Sequence, residues 1–282
     1  MDLEIGVKKM AKWSANFICY NEELWIPYQL KQLESAVDEI IIVDGSHTAS
    51  IIDKDTNIDI KNIEPHRFGI SDKSHPSTDN TRKIISEFKS NKIKLFDGNG
   101  DEQKFRNFAI SKSTNEYVLI VDADEFYMDL KKYLDDFESV FNRDIDIIYV
   151  SKLYEFYFDF NHYIINKNIP VAFKKNKAKF VTSRTVDSKK LALYNGVCYH
   201  YSYIKPYKRI VEKMKGYGEK GEWWLQDVVD RFGKIPDERL IESRVNRGSI
   251  HFCSRNKTFE KEKLEHPEIV KPLINEWKWT IV

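Results

Sequence analysis

Short, largely apolar runs alternate with helical spacings through the first half of the chain. Residues 14–20, 37–43 and 117–121 are runs rich in β-branched and aromatic side chains, and 92–96 reads as a further strand. Such runs are the habit of strands buried on both faces of a parallel sheet. Between them, residues 24–33, with Pro27 in the first turn, and 103–113 place apolar side chains three and four apart, which predicts helices. Strand, helix and strand joined by short links is the βαβ unit of an α/β fold. Residues 51–92 break this rhythm with polar stretches and read as a surface insertion holding one helix, 81–90. Farther on, 130–141 predicts an amphipathic helix and 145–149 a strand. An alternating aromatic stretch follows at 154–160, then a late strand at 197–203, helices at 208–214 and 223–232, and a final helix near the end.

What stands at the ends of these strands is chemistry. The run 117–121 stops at Asp122-Ala123-Asp124-Glu125. Carboxylates at i and i+2 project to one side if strand geometry continues. Like charges so placed repel unless a cation lies between them, and Mg²⁺ or Mn²⁺ suits carboxylates together with phosphates. The plainer alternative is a solvated turn capping the helix that starts near Met128. The first strand ends at Asn21-Glu22-Glu23 and the second at Asp44-Gly45-Ser46. In open α/β sheets ligands bind beyond the carboxyl ends of strands, so the three polar tips predict one shared site with a nucleotide across it. No GxGxxG or GxxxxGK phosphate loop is present.

Composition narrows the class. With 41% hydrophobic and 13% aromatic residues the chain can bury a sizeable core, which excludes a disordered chain. Three cysteines, odd in number and without a CxxC spacing, argue against a disulfide framework or zinc site and for a reducing compartment. Residues 1–15 lack the apolar segment of a signal peptide, and no apolar run reaches membrane-spanning length. The expectation is a cytoplasmic protein. The net charge is only +1, yet residues 162–215 hold thirteen Lys and Arg against Asp187 and Glu212. So strong an excess predicts either a solvated face or an anionic partner.

Taken in order, these pieces resemble the inverting nucleotide-sugar glycosyltransferases of family 2. The resemblance rests on Tyr20 through Glu23, on Val37 through Ser46, and on Arg106-Asn107 followed by Asp122 to Glu125. Within that family the chain most resembles the bacterial branch acting on lipopolysaccharide cores and surface glycans, through His200-Tyr-Ser-Tyr203 and His266-Pro267. The resemblance implies a GT-A fold, a mostly parallel central sheet flanked by helices, over residues 1–204. Residues 14–126 form its nucleotide-sugar half and 127–204 its acceptor half, with a helical extension over 205–282.

The resemblance also implies roles. Tyr20 stacks near the base, Asp44 accepts a hydrogen bond from it, and Arg106 approaches base or diphosphate, with Asn21, Glu22, Gly45 and Ala123 lining the donor site. Asp122, Asp124 and His200 hold Mn²⁺ or Mg²⁺, and the donor is a UDP-sugar. The catalytic base is Asp187, standing where related enzymes carry Val-His-Glu, with Glu155 as the alternative. The expected acceptor is a surface glycan or lipid-linked saccharide. Alternatives are a polyanion such as hydroxymethylated phage DNA, or a non-catalytic carbohydrate- or nucleic-acid-binding module. The basic segment 167–215 offers a peripheral contact with an inner membrane surface or with nucleic acid. Trp223 and Trp224 read as core or as a sugar platform. A nucleotidyltransferase is disfavoured, because Asn21-Glu22-Glu23 stands where that class carries a glycine-rich loop.

Overall fold

The computed structural model describes residues 12–46, 74–157, 159–161, 163–166, 168–182, 185–205, 209–210 and 264–277. The early apolar runs become the parallel half of a nine-stranded sheet. Strand β1 (Trp13–Cys19) pairs in parallel with β2 (Glu39–Asp44) on one side and with β4 (Tyr117–Ile120) on the other, and β2 pairs with β3 (Ile93–Asp97). Every residue of β1, β2 and β4 is buried, as expected where helices cover both faces. Helices α1 (Ile26–Glu34), α2 (Thr81–Glu87) and α3 (Glu102–Lys112) make the connections. Asp101 caps α3 by accepting a hydrogen bond from the Lys104 amide, satisfying one of the orphan donors of its first turn.

The chain steps outward from β1 to β2 to β3, then returns to lay β4 on the other side of β1. That reversal creates a switch point between β1 and β4, the position where open sheets bind ligands. Beyond it the sheet is mixed. Strands β5 (Glu125–Phe126), β6 (Ile147–Tyr157), β7 (Tyr163–Asn166), β8 (Ile169–Lys174) and β11 (Leu191–Tyr203) extend it in the order β3-β2-β1-β4-β8-β6-β11-β5, with β7 on β6. Strands β9 (Lys179–Phe180) and β10 (Val186–Asp187) form a separate antiparallel pair. Helix α4 (Leu130–Phe141) buries Leu130, Leu134, Phe137 and Phe141 on one stripe.

Several expectations change. Residues 145–149 and 154–160, expected as separate stretches, belong largely to one strand, β6, and the late strand starts at Leu191 rather than Val197. Residues 74–80 are no loose insertion. They lie over the ends of β1 and β2, tied by Ser46 N to His75 O (2.8 Å) and Asn21 N to Ser77 Oγ (2.8 Å).

A second core fills the space beneath β5 and β11, where Trp25, Phe156 and Tyr201 stack with ring centroids 5.1 and 4.8 Å apart. His266 joins the end of the chain to it. Its Nε2 donates to Phe160 O (2.9 Å), so its Nδ1 accepts from the Tyr201 hydroxyl (2.9 Å). Burial lowers its pKa, consistent with this neutral bracing role. A 3₁₀ turn (Glu268–Val270) and α5 (Lys271–Glu276) follow it. The helices expected at 208–214 and 223–232, including Trp223 and Trp224, lie outside the described residues except for 209–210. Among the described residues no helix is long and apolar enough to cross a membrane.

Candidate active site

The carboxyl ends of β1, β2, β4 and β11 meet over the switch point. The turn after β4 is fixed from below by two buried glutamines of α1. Gln29 Nε2 donates to Asp122 O (2.7 Å) and Glu125 O (3.1 Å), and Gln32 Oε1 accepts from Tyr127 N (2.8 Å). The Asp122 amide donates to Glu125 Oε2 (2.9 Å), and Ala123 is buried in the core. Arg106, expected at the donor, is buried and turned to the acidic turn. Its Nη2 donates to Asp122 Oδ1 (2.8 Å) and to Glu102 Oε1 (2.7 Å).

Sheet register then sets a row of three polar side chains. His200 of β11 pairs with Glu125 of β5 on one side and with Glu155 of β6 on the other. Ligand atoms of Asp122, Glu125 and His200 lie within 4.8 Å of one another. Asp124, expected to ligate beside Asp122, is buried and held from two directions. His200 Nε2 lies 3.2 Å from its Oδ1, and Lys205 Nζ 3.1 Å from its Oδ2. Lys205 Nζ also reaches Glu22 Oε1 (2.5 Å). Glu155 Oε1 stands 3.9 Å from His200 Nδ1, and its Oε2 accepts from Asn166 Nδ2 (2.9 Å).

Burial opposes charge on His200, but the Asp124, Glu125 and Glu155 carboxylates outweigh it and raise its pKa. Burial likewise opposes the Lys205 ammonium, while Glu22 and Asp124 hold it protonated far above the ordinary range.

The donor set fits a divalent cation. Two carboxylates at about 5 Å repel by about 3 kcal/mol at an effective dielectric of 20, and a cation between them reverses the sign. Buried His200 Nδ1 has no hydrogen-bond partner among the described residues. Oxygen ligands with one imidazole suit Mn²⁺.

The nucleotide side is built differently. Asn21 takes a left-handed conformation (φ 55°), which its side chain tolerates, and its Oδ1 accepts from Thr78 N (2.7 Å). The Tyr20 ring, half-buried, meets His75 edge-on at 5.4 Å. Gly45 has φ 156° beside the carbonyls of His75 and Gly98, where a side chain is strained. Asp44 is fully buried with both carboxylate oxygens engaged. Ser77 N (3.0 Å) and Arg82 Nη1 (3.0 Å) donate to Oδ2, and Ser77 Oγ donates to Oδ1. Arg82 also bridges to Asp97 (2.6 Å).

Asp187 stands on the exposed edge of the β9–β10 pair. Among the described residues no hydrogen bond ties it to the acidic turn. The pair is nonetheless docked beside that turn, since Asn107 Nδ2 and Oδ1 bond Phe180 O and N (both 3.0 Å) and Arg106 lies 5.6 Å over the Phe180 ring. Asn107, which reads in sequence as a solvated helix position, is thus a clamp. The basic segment is partly internal. Lys174 Nζ donates to Phe141 O (2.9 Å) and Lys175 Nζ to Ser113 O, while Lys190 pairs with Asp144 (2.7 Å) at the surface.

Sequence reasoning passed over Gln29, Gln32, Ser77, Arg82 and Lys205, and gave Glu125 no role beyond its place in the Asp122–Glu125 motif. Only the glutamines left a signal, two amides on the apolar stripe of a helix.

A parallel half with its switch point over an acidic turn, continued by a mixed sheet, defines a GT-A nucleotide-sugar transferase fold. Residues 74–196 match the family model for Glycosyl transferase family 2. The match spans less than half of the chain, and the enzyme class it supports is the nucleotide-sugar-dependent glycosyltransferases. A search of the curated proteins gives no match. Among solved structures, TarS 1-349 from S. aureus in complex with UDP-GlcNAc is similar at 14% identity and a TM-score of 0.41, covering 83% of this chain and 81% of that one. The mannosyltransferase PcManGT from Pyrobaculum calidifontis, in complex with GDP-Man and Mn²⁺, is similar at 12% identity and a TM-score of 0.41, covering 81% and 67%. The 4-diphosphocytidyl-2C-methyl-D-erythritolsynthase from Anaerococcus prevotii is similar at 14% identity and a TM-score of 0.38, covering 66% and 87%. At these TM-scores the three likenesses decide nothing further.

Proposed function

We propose that the enzyme transfers a sugar with inversion, from a UDP-sugar to a hydroxyl of a glycan or lipid-linked saccharide, in a reaction dependent on Mn²⁺ or Mg²⁺. The observation that carries this reading is the convergence of Asp122, Glu125 and His200 beyond β4. Asp122, Glu125 and His200 hold the cation, with Asp124 as a further carboxylate beside them. When bound, the cation stabilises the charge developing on the departing diphosphate.

The chain's own residues do the rest. Arg106 holds the Asp122 carboxylate in place, and Gln29 and Gln32 fix the backbone that carries it. Tyr20 offers its face to the base, at the edge of the wall formed by residues 74–82. Asp44 supports that wall through Ser77 and Arg82, and meets the base only if one of these contacts is exchanged. The acceptor oxygen attacks the anomeric carbon as the bond to diphosphate breaks, and a carboxylate takes the hydroxyl proton. Asp187, carried by the pair docked on α3, is that base. Glu155 positions His200.

The test is a thermal-shift screen of nucleotide-sugars with and without Mn²⁺. A ligand at 100 times its Kd stabilises the folded state by about 2.7 kcal/mol. UDP-sugars are expected to raise Tm only with the cation present. A panel in which none raises Tm under either condition overturns the reading.

A further inference from the structure

Lys205 follows β11 with its ammonium buried among acids from two other strand ends. Glu22 follows β1, Asp124 follows β4, and the Nζ lies 2.5 Å from one and 3.1 Å from the other. Its placement is not incidental. The carbonyl of Ile204 accepts from Trp25 Nε1 (3.2 Å), and Glu22 N donates to Thr81 Oγ1 (2.7 Å). Both ends of the Lys205–Glu22 pair are therefore anchored. Asp124 Oδ1 meets His200, a member of the converging ligand group. The positive charge thus sits one carboxylate away from the proposed cation.

We infer that Lys205 is an internal counter-ion that competes with the divalent cation for Asp124, and so sets how tightly the enzyme holds its metal. A buried carboxylate must be compensated, and Lys205 does this when no metal is bound. A cation entering beside His200 must either displace the ammonium from Asp124 or bind against its repulsion. Glu22 gives the ammonium a second partner, so it can yield Asp124 without becoming unpaired. The metal is then held loosely enough to depend on its concentration. This inference rests on the metal-dependent reading given above, and Lys205 acts through Asp124 as a positioning residue.

The experiment is calorimetric titration of metal-free protein with Mn²⁺ alone, for wild type, Lys205→Met and Lys205→Arg. Lys205→Met is expected to bind Mn²⁺ at least about ten-fold more tightly, about 1.4 kcal/mol. Lys205→Arg, which keeps the charge, stays near wild type. In an Asp124→Asn background the gain from Lys205→Met disappears, because the partner through which it acts is gone. The Tm rise on adding Mn²⁺ is larger in Lys205→Met than in wild type. If Lys205→Met does not fold, Lys205→Gln carries the same comparison with a neutral donor.

Equal Mn²⁺ affinity in wild type and the neutral variants overturns the inference and leaves the metal reading standing. Absence of Mn²⁺ binding in every variant overturns both.

Discussion

Glu39 shows how closely this sheet controls a buried charge. It lies in β2, and its carboxylate accepts from Ser14 Oγ (2.6 Å), Thr114 N (2.7 Å), Thr114 Oγ1 (3.0 Å) and Lys94 Nζ (2.5 Å). Burial opposes ionisation, but these donors outweigh it and lower the pKa. A lowered carboxylate contributes stability that is complete above its unfolded-chain pKa and is lost as pH falls through the folded value. Glu39→Gln is therefore expected to cost about 1.5–3 kcal/mol at pH 7, with the gap to wild type narrowing below about pH 4. Urea unfolding at pH 7 and pH 3 checks this; an equal gap at both contradicts it. For the reaction, Asp187→Asn is expected to lower kcat by about 100-fold or more while donor affinity stays unchanged. Normal transfer by that variant moves the base to Glu155. The sequence displayed Asp122 and Asp124 because two carboxylates at a strand end are visible as a pattern. It hid Glu125, which reads as part of a capping turn, and Lys205, one lysine among thirteen basic residues. Burial and register separate them from their neighbours, and neither is written in residue type.

The pair β9–β10 is held to α3 by two amides, Asn107 and Gln103, whose Nε2 donates to Phe180 O (3.0 Å). Asn107 meets both backbone groups of Phe180 at 3.0 Å, so Asn107→Ala takes the partner from the N–H and leaves the C=O with Gln103 alone. We expect a loss of about 1–3 kcal/mol and a fall in kcat larger than any change in donor affinity, because Asp187 rides on the same pair. Pre-steady-state transfer with donor titration separates these effects. An Asn107→Ala enzyme with wild-type kcat shows that the pair carries no catalytic group. Helix α4 was legible in full, since Asp129 caps it by accepting from Lys132 N and its buried stripe recurs every three or four residues. Strand β8 was not. Pro170 argues against an interior strand, and Lys174 ends it in the basic run. The structure tolerates Pro170 because the pairing of β6 with β8 shifts register at Tyr149, opposite the proline. In the sequence β6 reads as two stretches because Ser151 and Lys152 interrupt its apolar pattern.

Across the molecule, the concentration of lysines changes meaning once placed. Lys174 and Lys175 donate to the last carbonyls around α4 and α3, where cations complement the helix dipole, and Lys205 is internal. Neutralising the exposed Lys177 and Lys189 is expected to leave the acceptor KM and its salt dependence unchanged, as for a neutral saccharide. A raised KM with a flattened salt slope points instead to a polyanionic acceptor. The parallel half and its site were readable because β1, β2 and β4 are largely apolar runs with polar tips. The mixed half was harder, because long-range antiparallel pairing and an aromatic second core decide its elements. All of these parts serve one acidic turn, and release of nucleoside diphosphate from a UDP-sugar with Mn²⁺ reports on it. Wild type is expected to lose this activity in excess chelator, and Asp122→Asn to lose at least about 100-fold with its Tm little changed. Undiminished release in chelator, or a fully active Asp122→Asn enzyme, contradicts the metal-dependent mechanism.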